Sequence, residues 1–457
     1  MPRSRELEEL SNGFDEYRLE EDTEERRAII KVKREPRKIA RAGAPAGSGA
    51  PKMIESDYPP IALPAEPYHK RLLKSIKHHI DHGKNKIAFV NGEKPNETIT
   101  FKQVYDSAYS IAAFLYSKGF EKDVACAVIP NLWHYSAFFL GVALRGGAVS
   151  GASAMFTDYE LQRQFVDSGA KVVLTSEHYL EKVVKAVKES PNVKLVIYIP
   201  EHEDHPVPEG VVSWNVAVKS RYTASIPEPC IDVDKDMIIL PYSSGTTGPP
   251  KGVMLSHRNF ACMMEIYSRH EATNIARVLD PDWDYEQEKL LLFLPFYHAY
   301  GFGLINFTLL VGSTGIIFKS FDPHNFCRAI QDHKASIRIL PLVPPIMVFL
   351  AKHPVCDQYD LSSISLIICG AAPAGKDICE ELSRKYPKMK YIQQGLFRFP
   401  FPTRLNASKN SNGRRWGVIV VMPALDRCRH QALQTAEQMY IAPGITGYFV
   451  ERMTELA

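Results

Sequence analysis

Tyr242-Ser-Ser-Gly-Thr-Thr-Gly-Pro-Pro-Lys-Gly252 follows an apolar run at 237–240 that reads as a strand. Gly245 and Gly248 let the backbone bend, so that amide N–H groups can point at an anion. Ser243, Ser244, Thr246 and Thr247 add hydroxyl donors. Lys251 adds a mobile positive charge. Donors plus a cation on a flexible loop suit a polyphosphate. The loop is not a Walker A sequence. That pattern needs Gly-Lys-Ser/Thr, whereas here Lys251 precedes Gly252.

Upstream of the loop, helix and strand signals alternate. Thr100-Phe-Lys-Gln103 is a capping box, and Val104, Ala108, Ile111, Ala112 and Leu115 mark one helical face behind it. The run at 124–130 is an apolar strand. Thr157-Asp-Tyr-Glu160 is a second capping box, with Gly169 as the stop. Residues 172–176 and 193–199 read as strands, with a helix face at Leu180, Val183, Val184 and Val187 between them.

Downstream, strands are expected at 290–294, 337–340, 365–370 and 389–393. Asp322-Pro323 starts a helix that carries Phe326 and Ile330 on one face, and 374–386 is helical. Short apolar strands between amphipathic helices predict an α/β fold of mostly parallel sheets with flanking helices. Ligands in such folds sit at the carboxyl ends of strands.

The chain has 457 residues, 45% hydrophobic and 23% charged, enough for a large packed core. Lys and Arg number 55 against 52 Asp and Glu, a balance that gives no argument for nucleic acid as partner. Residues 290–318 contain no Asp, Glu, Lys or Arg. Pro295, His298, Gly301, Gly303, Asn306, Gly312 and Gly315 interrupt them, so a buried strand, loop and helix is expected and no membrane span. None of the eight cysteines forms a CxxC, and no Cys/His spacing suits zinc; buried reduced thiols are expected. Residues 1–52, with acidic residues to Glu25, a basic run from Arg26 to Arg41 and then Ala42-Gly-Ala-Pro-Ala-Gly-Ser-Gly-Ala-Pro51, read as a disordered charged tail and linker.

The loop, extended through Val253-Met-Leu-Ser-His257, resembles the signature of the adenylate-forming superfamily of acyl-CoA synthetases, 4-coumarate–CoA ligases and firefly luciferases. Leu294-Pro-Phe-Tyr-His-Ala-Tyr-Gly301 is similar to that family's second core motif. Cys369-Gly-Ala-Ala-Pro373 resembles its adenine-binding segment, and Gln393-Gln-Gly395 the start of the next motif. The resemblance covers about residues 55–395 and implies a large N-terminal adenylate-forming domain over 53–395.

It also implies roles. Ser243, Ser244, Gly245, Thr246, Thr247, Gly248 and Lys251 would hold the ATP phosphates. Gly370, Ala371, Ala372 and Pro373, with Gln394 and Gly395, would bind the nucleotide. His298 would line the acyl pocket beside the reacting carboxylate, with Tyr300, Gly301 and Gly303 shaping it. No metal ligand is assigned. The implied reaction takes a fatty or aromatic acid, Mg2+ with ATP, and coenzyme A.

The resemblance stops at Gly395. The family continues with a Tyr-Gly-x-Thr-Glu pattern, where this chain has Leu396-Phe-Arg-Phe-Pro400. No Pro-Lys-Thr-x-x-Gly-Lys-like motif is present, so a truncated domain without the small C-terminal domain is expected. Residues 396–457 are expected to be a divergent tail. With half the nucleotide cradle gone, little complete ligase activity is expected. The alternative is an inactive nucleotide- or acid-binding chain that associates with a full-length homologue. The chain ends Glu455-Leu456-Ala457 without a peroxisomal tripeptide, which makes cytoplasm the expected location.

Overall fold

The computed structural model describes residues 61–83, 85–201, 208–219, 226–243, 250–334, 336–372 and 374–394. The tails expected at 1–52 and 396–457 lie outside them.

Helix α1 (Tyr68–His82) buries Tyr68, Leu72, Leu73, Ile76 and His79, the i, i+3, i+4 stripe of an amphipathic helix. Strands β1 (Ile87–Asn91) and β2 (Thr98–Thr100) follow, then α2 (Phe101–Ser117). The α2 capping box forms as expected: Thr100 Oγ1 accepts from the Gln103 amide, and Gln103 Oε1 accepts from the Thr100 amide. Next come β3 (Val124–Val128), α3 (His134–Leu144) and β4 (Ala148–Gly151). Helix α3 is buried on nearly every side, so it carries no 3.6-residue pattern.

Helix α4 (Asp158–Ser168) has the second capping box and a left-handed Gly169 at its end, φ 69°. Then β5 (Val172–Ser176), α5 (Leu180–Lys188), β6 (Leu195–Ile199), β7 (Val211–Ser213) and α6 (Trp214–Val218) complete one half, with β8 (Met237–Ile239). The sheet order is β11-β8-β4-β3-β5-β6-β7, parallel except for β11 (Leu255–Ser256) against β8.

Between β8 and β11 lie β9 (Tyr242–Ser243) and β10 (Lys251–Gly252). Helix α7 (His257–His270) runs into a π-helical stretch, Glu271–Ala276. The stretch at 290–318 resolves into β12 (Lys289–Leu292), α8 (Ala299–Val311) and β13 (Thr314–Ile317). No helix among the described residues is long and apolar enough to cross a membrane. Helix α9 (Pro323–Asp332) starts on an Asp322 cap that accepts from the Asn325 amide. Then come β14 (Ile339–Leu342), α10 (Pro344–Lys352), β15 (Leu366–Cys369), α11 (Lys376–Lys385) and β16 (Tyr391–Gln394).

The order β12-β13-β1-β2 makes a second sheet and β14-β15-β16 a third, all parallel except β1 with β2. The Lys289 amide donates to Ser336 O at 2.8 Å, which lays the start of β14 beside the start of β12. The mostly parallel α/β fold is therefore as the alternation predicts. Element ends shift by one or two residues, because Phe293 and Leu294 belong to the turn after β12 and Gly375 caps α11.

A charged cluster seals the amino ends of β12 and β14. Arg338 reaches Asp280 at 2.8 Å and Glu288, and its guanidinium lies 3.9 Å from the Trp283 ring centroid. Beside it, a small cavity is lined by Tyr267, Glu271, Trp283, Tyr285, Glu288 and Lys289. Burial pushes the Glu271 carboxyl up to about 7, against the hydrogen bond from Tyr285.

Candidate adenylate-forming site

The anion loop begins where β8 ends. Its two sides pair antiparallel, Lys251 opposite Ser243 and Gly252 opposite Tyr242. The pairing closes the loop and holds Lys251 at its base. Tyr242 Oη donates to Asp167 Oδ2 at 2.5 Å, which ties the base to α4. Lys251 is exposed and has no carboxylate partner among the described residues. Ser244, Gly245, Thr246, Thr247 and Gly248 lie outside them, as does the Ser243 side chain.

His298 follows the turn after β12 and caps α8. Its Nδ1 accepts from the Tyr300 backbone N–H at 3.3 Å. A backbone N–H can only donate, so Nδ1 holds a lone pair and the proton of the neutral ring sits on Nε2. The residue is accessible to solvent, yet the protein packed around the ring holds its pKa below the ordinary value. The positive end of the helix acts in the same direction. The site thus presents a neutral N–H donor at a helix N-terminus.

A buried amide fixes this turn. Asn131 Nδ2 donates to Leu294 O at 3.0 Å, and Asn131 Oδ1 accepts from the Phe296 amide at 2.9 Å. Asn131 sits just past the carboxyl end of β3, in the other sheet. Tyr297 packs against Gly151 at the end of β4; a Cβ there would lie 2.7 Å from Tyr297 Cα. Sequence reasoning passed over Asn131. A polar residue three positions past the end of an apolar strand, on the ligand side of a parallel sheet, was the available signal.

Helix α8 then runs to β15. Tyr300 is buried and its Oη donates to Ile368 O at 3.0 Å. A Cβ on Gly370 would lie 2.7 Å from Tyr300 Cε1. A Cβ on Gly301 would lie 2.3 Å from Pro295 O, so only glycine lets α8 approach the turn that closely. Gly303 is different, since a Cβ there meets nothing within 4 Å.

Past β15 the chain turns tightly. The Ala372 amide donates to Gly370 O at 2.9 Å, and Ala371 between them has φ 70°. That is a γ-turn with a left-handed centre, a strained conformation worth about 1–3 kcal/mol in a non-glycine residue. Such strain concentrates at functional sites. Gln394 pairs with Cys369 across the parallel ladder, so both strands end abreast. Pro373, Gly395 and the Gln394 side chain lie outside the described residues.

His298, Tyr300, Gly301, Gly370, Ala371 and Ala372 therefore form one connected group at the carboxyl ends of β12 and β15. Ser243 and Lys251 follow β8, whose neighbour β4 backs onto Tyr297. No direct contact between Lys251 and His298 occurs among the described residues.

A family model described as AMP-binding enzyme matches residues 76–396. Acyl-CoA synthetase 7 of Caenorhabditis elegans is 34% identical over 76% of this chain and 63% of its own length. The 4-coumarate–CoA ligase 2 of Petroselinum crispum is 32% identical over 75% of this chain and 60% of its own length. Among solved structures, a natural red-emitting luciferase from Phrixothrix hirtus superposes with a TM-score of 0.62 at 26% identity, covering 72% of this chain and 60% of that one. The chain spans about three fifths of the length of these relatives. The model's match takes in the anion loop, the His298 turn and the strained Gly370 segment together, and on that match the chain belongs to the AMP-binding enzyme family.

Proposed function

We propose that residues 53–395 form the ATP- and acid-binding domain of an acid–CoA ligase. The reaction has two steps. A carboxylate oxygen attacks the α-phosphorus of Mg–ATP, the bond to the β-phosphate breaks, and pyrophosphate leaves with an acyl-adenylate remaining. The coenzyme A thiolate then attacks the acyl carbon and AMP departs.

The observation that carries this reading is the neutral His298 at the start of α8. Its Nε2–H is a donor for one carboxylate oxygen, and its neutrality keeps the other oxygen nucleophilic. Lys251, on the loop closed by Ser243, offsets phosphate charge that would repel the acid. Ser244, Gly245, Thr246, Thr247 and Gly248 complete the phosphate cradle. Gly370, Ala371, Ala372, Pro373, Gln394 and Gly395 take the nucleoside end. Tyr300 and Gly301 form one pocket wall, and the open space at Gly303 leaves room for an apolar acyl group, aromatic or fatty. Mg2+ arrives with ATP, and no side chain is assigned to it. All seven cysteines among the described residues are free thiols, in keeping with a reducing compartment such as the cytoplasm.

One observation favours a second reading. Leu396-Phe-Arg-Phe-Pro400 stands where the family has its Thr and Glu for phosphate and magnesium. A chain lacking those groups would bind ATP or acid without turnover, alone or with a full-length homologue. Two measurements on the whole chain separate the readings. A cooperative melt that rises with Mg–ATP, and fails to rise in Lys251→Ala, supports nucleotide binding at this loop. Acid-dependent pyrophosphate exchange then supports adenylation. A shift without exchange leaves the binding reading, and neither result removes both.

A further inference from the structure

Helix α1 ends in His78-His79-Ile-Asp-His82, far from the adenylate-forming site in sequence. The His79 ring is buried and held on three sides. One face lies over Gly312, the left-handed C-cap of α8 at φ 79°, where a Cβ would come within 2.5 Å of the imidazole. Its Nε2 is 3.3 Å from Leu310 O. Its Nδ1 is 3.1 Å from Glu286 Oε1.

Both partners are acceptors, and a neutral imidazole carries one N–H. If that proton serves Leu310 O, Nδ1 sets a lone pair against a carboxylate oxygen. With the ring proton on Nε2, a cation held between Nδ1 and Oε1 satisfies both lone pairs. His78 supplies a third ligand atom. The ligand atoms of His78, His79 and Glu286 all lie within 4.8 Å of one another. His78 is exposed, and its ring, with its centroid 4.1 Å from that of His82, would turn to close by the remaining ångström or so.

We propose that His78, His79 and Glu286 bind a divalent transition-metal ion of the zinc class. Two imidazoles and one carboxylate suit zinc better than magnesium or calcium, which prefer oxygen. His79 Nε2–H to Leu310 O is then the outer contact that fixes the tautomer and aims Nδ1 at the ion. Lys86 keeps Glu286 Oε2, at 2.6 Å, leaving Oε1 for the metal. The ion would join the end of α1, the turn at 284–287 and the end of α8. The inference is independent of the proposed activity.

The test titrates the purified whole chain with Zn2+ and then Co2+. One equivalent should bind, and the melting temperature should rise with Zn2+ and return on adding a chelator. Glu286→Gln and His78→Ala, each checked by its melt to be folded, should weaken that equivalent at least about tenfold. The Co2+ complex should show ligand-field bands without thiolate charge transfer. Unchanged affinity in both variants, or a thiolate band pointing to the exposed Cys230, would overturn the site.

Discussion

The two ends of the strands β12 and β15, with β14 between their first residues, are built on opposite plans. At the amino ends, Arg338 holds Asp280 and Glu288 and stacks on Trp283. At the carboxyl ends no such ion pair is found among the described residues. His298 offers Nε2–H, and Ala371 keeps a left-handed turn. One end holds the fold together. The other keeps donors and strain, which the proposed function assigns to nucleotide and acid.

If that contrast is right, Arg338→Ala should carry the largest stability loss. Glu288 would be left buried without its cation, which costs about 3 kcal/mol. Chemical denaturation measures it, and a loss below about 1 kcal/mol would show the amino-end cluster to be ornamental.

A pH series sharpens the same point. Glu271 has a folded pKa of about 7 against an ordinary 4.5. The folded chain therefore keeps a proton that the unfolded chain releases in that window. Its stabilisation is complete below the lower value and is lost as pH rises through the upper one. Glu271→Gln should flatten the fall in stability between about pH 5 and pH 8, by at most about 3 kcal/mol. A variant that follows the parent at every pH would rule out Glu271 as its source.

The smallest effects come in a pair of opposite sign. Gly301→Ala drives a methyl into Pro295 O and should cost about 1–3 kcal/mol. Gly303→Ala, two residues on, meets open space and should gain about 0.5–1 kcal/mol from helix propensity. If Gly303 faces the acyl pocket, the same change weakens binding of an acyl-adenylate analogue. Equal signs in the two melts would erase the distinction between wall and opening.

Local signals in the sequence located much of this fold. The capping boxes at Thr100 and Thr157 and the cap at Asp322 form as their spacing predicts, because a cap is decided within four residues. Helix α3 carried no such signal, since a helix buried all round has no polar face to set a period. The site was legible as motifs, each at the end of an apolar strand. What motifs cannot carry is the link between them. Asn131 meets Leu294 across 163 positions, and His79 meets Glu286 across 207. No spacing rule spans such distances, which is also why no zinc spacing was apparent in the chain.

Asn131 has a consequence at the level of the gene. Its amide must donate on one side and accept on the other, in one plane, inside the protein. A single nucleotide change at an asparagine codon yields Asp, His, Ile, Lys, Ser, Thr or Tyr. None of these reproduces both bonds in the same volume. In a saturation screen read by binding at the His298 turn, this codon should stand out as one with no tolerated neighbour, although both ends of its side chain are taken up by backbone.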